Sequence, residues 1–158
     1  MDKNKGFTLI EFLVIVFITL FFLGVSLPRY NDYNGQLKLK NEGKKLVDVL
    51  ELAKKKALSG DLYDKNCTNF NGYKITIASG SYSLSFKCAL VYTLVQSYSF
   101  PTNIIATTTG DFIFTPLMIN PSFVGNTIRL RNSGISKCVD ISVSPIGIFE
   151  LNESLISC

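Results

Sequence analysis

The 158 residues are 47% hydrophobic and 18% charged, which suits one compact domain with a membrane-compatible segment and excludes a disordered chain. No histidine occurs, which removes imidazole-based triads, histidine-containing zinc sites and most general-base schemes. Sixteen Lys and Arg against twelve Asp and Glu give a net charge of +4, an excess too small and too dispersed to mark a nucleic-acid binder.

The polar, net-positive start Met1–Gly6 leads into Phe7–Leu27, a run without Lys, Arg or Asp whose only acidic residue is Glu11. At ~1.5 Å per helical residue this run spans roughly 30 Å, the thickness of a bilayer's hydrocarbon core. Lys3 and Lys5 ahead of it predict a cytoplasmic N-terminus. A secretory signal has the same basic-then-apolar pattern, but here Gly24, Val25, Ser26 and Leu27 lead straight to Pro28 and a continuing helical period, with no clear cleavage break. A carboxylate in such a span costs about 2 to 3 kcal/mol on insertion scales, so Glu11 requires a partner.

Lys5-Gly6-Phe7-Thr8-Leu9-Ile10-Glu11 resembles the leader junction of type IV prepilins and type II secretion pseudopilins. The resemblance implies that a prepilin peptidase cuts after Gly6 and methylates the amine of Phe7. Only MDKNKG is then shed, and the apolar helix stays on the mature protein. It also implies that Glu11 pairs with the N-terminal amine of a neighbouring subunit, in agreement with the rule that two groups costly alone in lipid compensate each other when paired. Proline lacks an N–H and disfavours helix at the residue before it, so a kink is expected at Ser26–Pro28. Pilins of this appearance often carry glycine and proline at the places of Gly24 and Pro28, and the resemblance makes Gly24–Pro28 the stretch where helix is lost in a fibre.

Beyond Pro28, Leu39, Leu46, Leu50, Ala53 and Ala57 recur at a helical period, widened by Val47, Val49 and Leu58. The helix is expected to end near Ser59, with Gly60 as its cap and Lys54, Lys55 and Lys56 in the last turns, where cations suit the dipole. Past Gly60 the period becomes two. Tyr73, Ile75 and Ile77 alternate with Lys74 and Thr76, and after the Ser79-Gly80 turn Tyr82, Leu84, Phe86 and Cys88 alternate with Ser83, Ser85 and Lys87, which predicts a hairpin. Further strands are expected at Leu90–Tyr98, Gly110–Phe114, Thr127–Arg131, Cys138–Val143 and Ile146–Leu151, with Pro101, Pro116, Pro121 and Pro145 at or between their ends. One helix followed only by strands is an α+β arrangement, a long helix laid on an antiparallel sheet. The expected divisions are a leader at 1–6, a transmembrane and assembly helix at 7–27, its amphipathic continuation at 28–60, and a strand-rich head at 61–158. Glu42–Ser59 resembles the helix end of GspH/FimT-type minor pilins and pseudopilins, and Phe112-Ile113-Phe114-Thr115-Pro116 their mid-head strand. DNA-binding members tend to carry a Gly-Arg tail, whereas Gly147 here is followed by Ile148, Phe149 and Glu150.

Cys67, Cys88, Cys138 and Cys158 all follow the membrane segment, on the side away from the cytoplasm, where disulfides form. Four cysteines allow three pairings. Folding about Ser79-Gly80 brings Cys88 opposite a residue near Asn71, and folding about Ser144-Pro145 brings Cys138 near Leu151, which favours Cys67 with Cys88 and Cys138 with Cys158. Each bond would close a loop of about twenty residues, worth roughly 3 kcal/mol in the chain-entropy treatment. A four-thiolate zinc site is the rival, and it lacks the short Cys-x-x-Cys spacing. Lys54–Lys56 spread around the helix and Arg129 and Arg131 alternate with Ile128 and Leu130, so both sets read as solvated faces. Asp61, Asp64 and Asn66 lack the ligand set of a calcium loop, and no serine, cysteine or lysine has a recognisable activating base. The sequence therefore points to a non-enzymatic structural subunit without cofactor or metal. Its expected partners are other pilin subunits, the prepilin peptidase and the cytoplasmic membrane, with DNA or a surface ligand as a further candidate. The runner-up readings are a type II secretion pseudopilin and a DNA-uptake module. The expected location is the cytoplasmic membrane before assembly and an extracellular filament after it.

Overall fold

The computed structural model describes residues 7–117, 122 and 125–158, and the backbone alone at 25–28. The expected leader at 1–6, Gly6 included, and Pro121 lie outside the described residues. A single helix, α1, runs Leu9–Ser59. It is continuous through Gly24 and Pro28, the stretch where the resemblance expects helix to be lost in a fibre. Proline at 28 deletes one N–H to the carbonyl four residues back, and the turns on either side are rich in good helix formers. At the other end Gly60 takes φ +64°, its N–H donates to the Ala57 carbonyl at 3.3 Å and the Asp61 N–H donates to the Lys56 carbonyl at 3.0 Å. These two bonds form a Schellman cap, reinforced by the ion pair of Lys56 with Asp61.

The described residues fall into two compact units, one up to Asn34 and the other Gly35–Cys158. The second unit holds the C-terminal part of α1 and the strands β1 (Phe70–Ile77), β2 (Ser81–Cys88), β3 (Val91–Ser99), β4 (Ile104–Ala106), β5 (Gly110–Phe114), β6 (Thr127–Asn132), β7 (Lys137–Val143) and β8 (Phe149–Ser157). They form two antiparallel sheets in the orders β3-β2-β1-β5 and β4-β6-β7-β8. The α+β class holds, with two sheets where one was expected. Inward-facing Tyr73, Ile75, Ile77, Tyr82, Leu84, Phe86, Phe112 and Phe114 of the first sheet join Ile104, Ala106, Ile128, Leu130, Val139, Ile141 and Phe149 of the second. Leu39, Leu46, Leu50, Ala53 and Ala57 of α1 complete this one core. Phe149 meets Phe112 and Phe114 edge to face at 6.3 and 6.0 Å between ring centroids, which ties the two sheets together.

Two strands depart from the alternation-based expectation. β4 has only three residues, too few for a period to register, and β8 starts at Phe149 and runs on to Ser157 through a polar stretch. The β7–β8 connection spans Ser144–Ile148, closed by Ser144 N–H to the Ile148 carbonyl and Gly147 N–H to the Ser144 carbonyl. Val143 thus faces Phe149, and with a register shift between Cys138 and Asp140, Cys138 faces Ile156 rather than Leu151. The disulfides are Cys67–Cys88 and Cys138–Cys158. In the β1–β2 ladder Phe70 faces Cys88, followed by a shift before Gly72, which sits at φ +107°.

A Cβ built on Gly72 would lie 1.9 Å from the Phe114 carbonyl oxygen, a backbone atom that cannot step aside. Gly72→Ala is expected to destabilise the head by about 3 kcal/mol or more, combining overpacking with an unfavourable backbone angle. Denaturant titration of the full chain in detergent micelles checks this, and an unchanged midpoint would contradict it. A second expectation concerns Tyr82, only 2% exposed, whose phenol is pushed up from 10.0 to about 12 by burial first and then by Glu42, Tyr98 and Asp48. A phenol with a folded pKa above its unfolded one contributes stability that is intact below pH 10.0 and is lost as pH rises towards about 12. Tyr82→Phe should therefore flatten the alkaline fall in melting temperature over that interval, and an identical pH profile in the variant would refute it.

Candidate functional site

The N-terminal part of α1 has no cover within its own unit. Phe7, Leu9, Ile10, Phe12, Leu13, Phe17, Leu20, Phe21, Phe22 and Leu23 are all more than half exposed. This stretch is long and apolar enough to cross a membrane. Its one carboxylate is organised by Thr8. Glu11 Oε2 accepts the Thr8 backbone N–H at 2.9 Å and the Thr8 hydroxyl at 2.8 Å, while the Glu11 N–H donates to Thr8 Oγ1 at 3.3 Å. This reciprocal pattern is a capping box, with Thr8 as N-cap and Glu11 three residues on. The spacing Thr8-x-x-Glu11 was the available signal, and a reading that treated Glu11 only as a misplaced charge passes over it. Glu11 Oε1 makes no hydrogen bond among the described residues. The carboxylate lies in a shallow, mostly apolar groove lined by Phe7, Ile10, Val14 and Ile15.

The other residues singled out in the sequence are dispersed. Asp61 is the partner of Lys56, raising the lysine's pKa chiefly through their hydrogen bond, and Asp64 accepts the Asn66 N–H at 3.0 Å in a local turn. No group of three or more candidate metal ligands occurs among the described residues. Lys54 donates to the Gly147 carbonyl at 2.6 Å, so it ties the helix to the β7–β8 turn instead of facing solvent freely, while Lys55 is exposed. Arg129 is held in a two-pronged pair by Asp140 at 2.7 and 2.8 Å, which raises its pKa. Arg131 is half-buried, and its Nε has no partner in the described structure. Lys44 reaches Glu153 at 3.0 Å and holds that carboxyl below its ordinary value. Gly24 has nothing within 4 Å of a built Cβ, so no contact in the isolated chain demands glycine there.

Comparison with known proteins adds to this geometry. Residues 1–27 match the prokaryotic N-terminal methylation motif. The chain is 36% identical over 65 residues to the type IV major fimbrial protein FimA of Dichelobacter nodosus, covering 41% of this chain and 38% of that one. It is 35% identical over 66 residues to the corresponding protein of Dichelobacter nodosus strain VCS1703A, covering 42% and 38%. The match thus spans under two fifths of the length of these relatives. No solved structure matches the chain significantly. With its methylation motif, its likeness to fimbrial proteins and a long N-terminal helix packed on antiparallel sheets, the chain is type IV pilin-like in sequence and in architecture.

Proposed function

We propose that the protein is a structural subunit of a type IV pilus or pilus-like filament. The chain inserts in the cytoplasmic membrane with its N-terminus inside, is cut after Gly6 by a prepilin peptidase and methylated at Phe7, and polymerises through its apolar helix with other pilin subunits into an extracellular fibre. Similarity to proteins named as major fimbrial subunits favours a fibre subunit over a secretion pseudopilin. Several basic groups already hold local partners, Arg129 with Asp140, Lys54 with Gly147 and Lys44 with Glu153, which speaks against a DNA-capturing surface.

The observation that carries the proposal is the half-satisfied carboxylate of Glu11. Thr8 occupies Oε2, Oε1 has no donor among the described residues, the carboxylate lines an apolar groove, and a carboxylate can accept about four hydrogen bonds. In lipid an open acceptor of that kind is costly, and the methylated amine of a neighbouring subunit's Phe7 is a cation of matching size and place. The neighbour gains equally, since an amine buried without a counter-ion is as expensive. On this reading Gly24 and Pro28 act in the fibre, where the helix opens at the position that already lacks one N–H.

The test separates the cap from the charge. Glu11→Gln keeps a side-chain oxygen for the Thr8 N–H and hydroxyl but carries no charge, whereas Glu11→Ala loses both. Processed protein is measured in membranes and in sheared fibres, with mass spectrometry of the mature N-terminus. N-methylated Phe7 is expected in all three forms, with membrane levels like wild type and fibre incorporation reduced at least tenfold for both variants. Wild-type incorporation of Glu11→Gln would reduce Glu11 to a helix cap, and an uncut Met1 would overturn the prepilin reading.

A further inference from the structure

We infer that the edge of β3, unpaired among the described residues, is a self-association site, pairing antiparallel with β3 of a second copy of this chain. The two sheets of the head present four edges, and the described residues blunt three of them. β4 is three residues long, and β5 carries Asp111 and is covered at Ile113 by a bridge to Ser122, whose N–H donates to the Ile113 carbonyl at 2.9 Å. β8 carries Glu150 and Glu153. Short length, charge and cover are means by which proteins keep sheet edges from pairing. β3 has nine residues, Val-Tyr-Thr-Leu-Val-Gln-Ser-Tyr-Ser, with no charge, no proline and no glycine. Val91 and Leu94 are 66% and 57% exposed.

The choice of a second copy over a foreign strand comes from the pattern of this edge. Tyr92 and Leu94 lie on the outer face of the sheet, opposite Lys87 and Ser85, and Val91 and Thr93 lie on the other, opposite Cys88 and Phe86. A two-fold axis through Thr93 sets Tyr92 opposite the second copy's Leu94, Leu94 opposite its Tyr92, and Thr93 opposite Thr93. Aromatic with aliphatic and threonine with threonine are favourable cross-strand pairs, and one register satisfies both. The shift in the β2–β3 ladder between Leu84 and Ser85 leaves Val95 as the extra residue, so the matched segment Tyr92–Leu94 lies in the regular part of the strand, which ends at Leu94. Tyr92 is already seated by Lys74 and Lys87, whose Nζ atoms lie 4.2 and 5.2 Å from its ring centroid. Lys87 and its copy would stand three strand spacings apart, roughly 14 Å, beyond the ~8 Å over which exposed charges act at physiological salt.

The pairing needs no fibre. Where subunits are polymerised, a consequence that rests on the filament reading, a fibre repeating by one screw operation relates its neighbours head to tail, so a two-fold β3 contact joins heads of different fibres.

Thr93 is exposed, so charges placed there leave the core untouched. Full-length wild type, Thr93→Lys, Thr93→Glu and an equal mixture of the two variants are compared in detergent micelles by sedimentation velocity and amide hydrogen exchange, with Glu11→Gln as a control for association through the N-terminal helix. Wild type should dimerise with concentration, and the exchange of β3 amides should slow as it does. Each single variant should be monomeric, because like charges then face each other at the axis, and the mixture should regain the dimer. Glu11→Gln should dimerise as wild type does, whatever its fate in fibres. Wild type that stays monomeric, dimers that survive in either Thr93 variant alone, a mixture that stays monomeric, or a dimer lost in Glu11→Gln would each overturn the inference.

Discussion

The head depends on one constraint, the burial of the narrow α1 stripe Leu39, Leu46, Leu50, Ala53 and Ala57, each at most 1% exposed. Three of these are leucines, each worth about 1.5–3 kcal/mol on burial, and both sheets turn their inward side chains onto them. The stripe narrows from leucine to alanine towards Ser59, so the space over the last turns is left for large aromatic rings, among them Tyr73 and Phe86 at 5.5 Å. Gly43 lets the helix approach the second sheet, where the side chains of Leu151 and Val139 come within 2.7 and 3.5 Å of a built Cβ. Polar ties then fix the helix along its length: the Asn132 amide donates to the Gly35 carbonyl at 3.2 Å, and Lys54 to that of Gly147. The disulfides act where the stripe does not reach, Cys67–Cys88 on the segment that leaves the helix and Cys138–Cys158 on the last residue of the chain.

What the sequence made legible follows from which signals are periodic. The stripe recurs at steps of seven, four, three and four over nineteen positions, and β1 from Tyr73 onward, β2 and β5 alternate, so the helix, its end at Ser59 and these strands can be read directly. β4 is too short to show a period, and its place beside β6 is set by backbone bonds across the sheet, not by anything local. β8 was read to stop at Leu151 because its second half is polar, yet as an edge strand it has solvent on one side and needs no apolar alternation. Two sheets rather than one is likewise a long-range fact. The register of Cys138 was misjudged by assuming a tight turn at Ser144-Pro145, when the connection takes five residues and a shift follows. At the site, Phe7 and Glu11 were legible from a motif, and the role of Thr8 was hidden because a charge in an apolar run drew the reading towards an intermolecular partner.

The same helix therefore obeys two solvents. From Gly35 onward its apolar residues form a stripe with a polar face, which a sheet can bury. From Phe7 to Leu23 they surround the helix on every side, an apolar surface of the kind and length that suits a bilayer. Nothing in this stretch other than Glu11, Thr8 and Thr19 has a polar side chain, and Thr19 satisfies its hydroxyl on the Val16 carbonyl at 2.9 Å. Glu11 is thus the one polar side chain of this stretch with an oxygen left unpaired among the described residues.

Under the filament reading proposed above, that asymmetry bears on how one carboxylate can serve both a lone chain and a polymer. If the capping box used all of its acceptor capacity, pairing with a neighbour would require breaking bonds to the Thr8 N–H and hydroxyl, and each buried donor left open would cost about 1–3 kcal/mol. The two bonds instead converge on Oε2, so an ammonium can approach Oε1 with the cap intact. The cap also restricts the carboxylate's rotation in advance, so less side-chain entropy is lost when the neighbour's amine arrives. In the lone chain the cap stabilises the first turn and holds the carboxylate beside Phe7 in its apolar groove, and no donor among the described residues reaches the second oxygen. On the proposed filament reading, a residue that is half satisfied at rest and fully satisfied in contact makes association favourable without making the monomer unstable, which is the balance a membrane reservoir of assembling subunits would require.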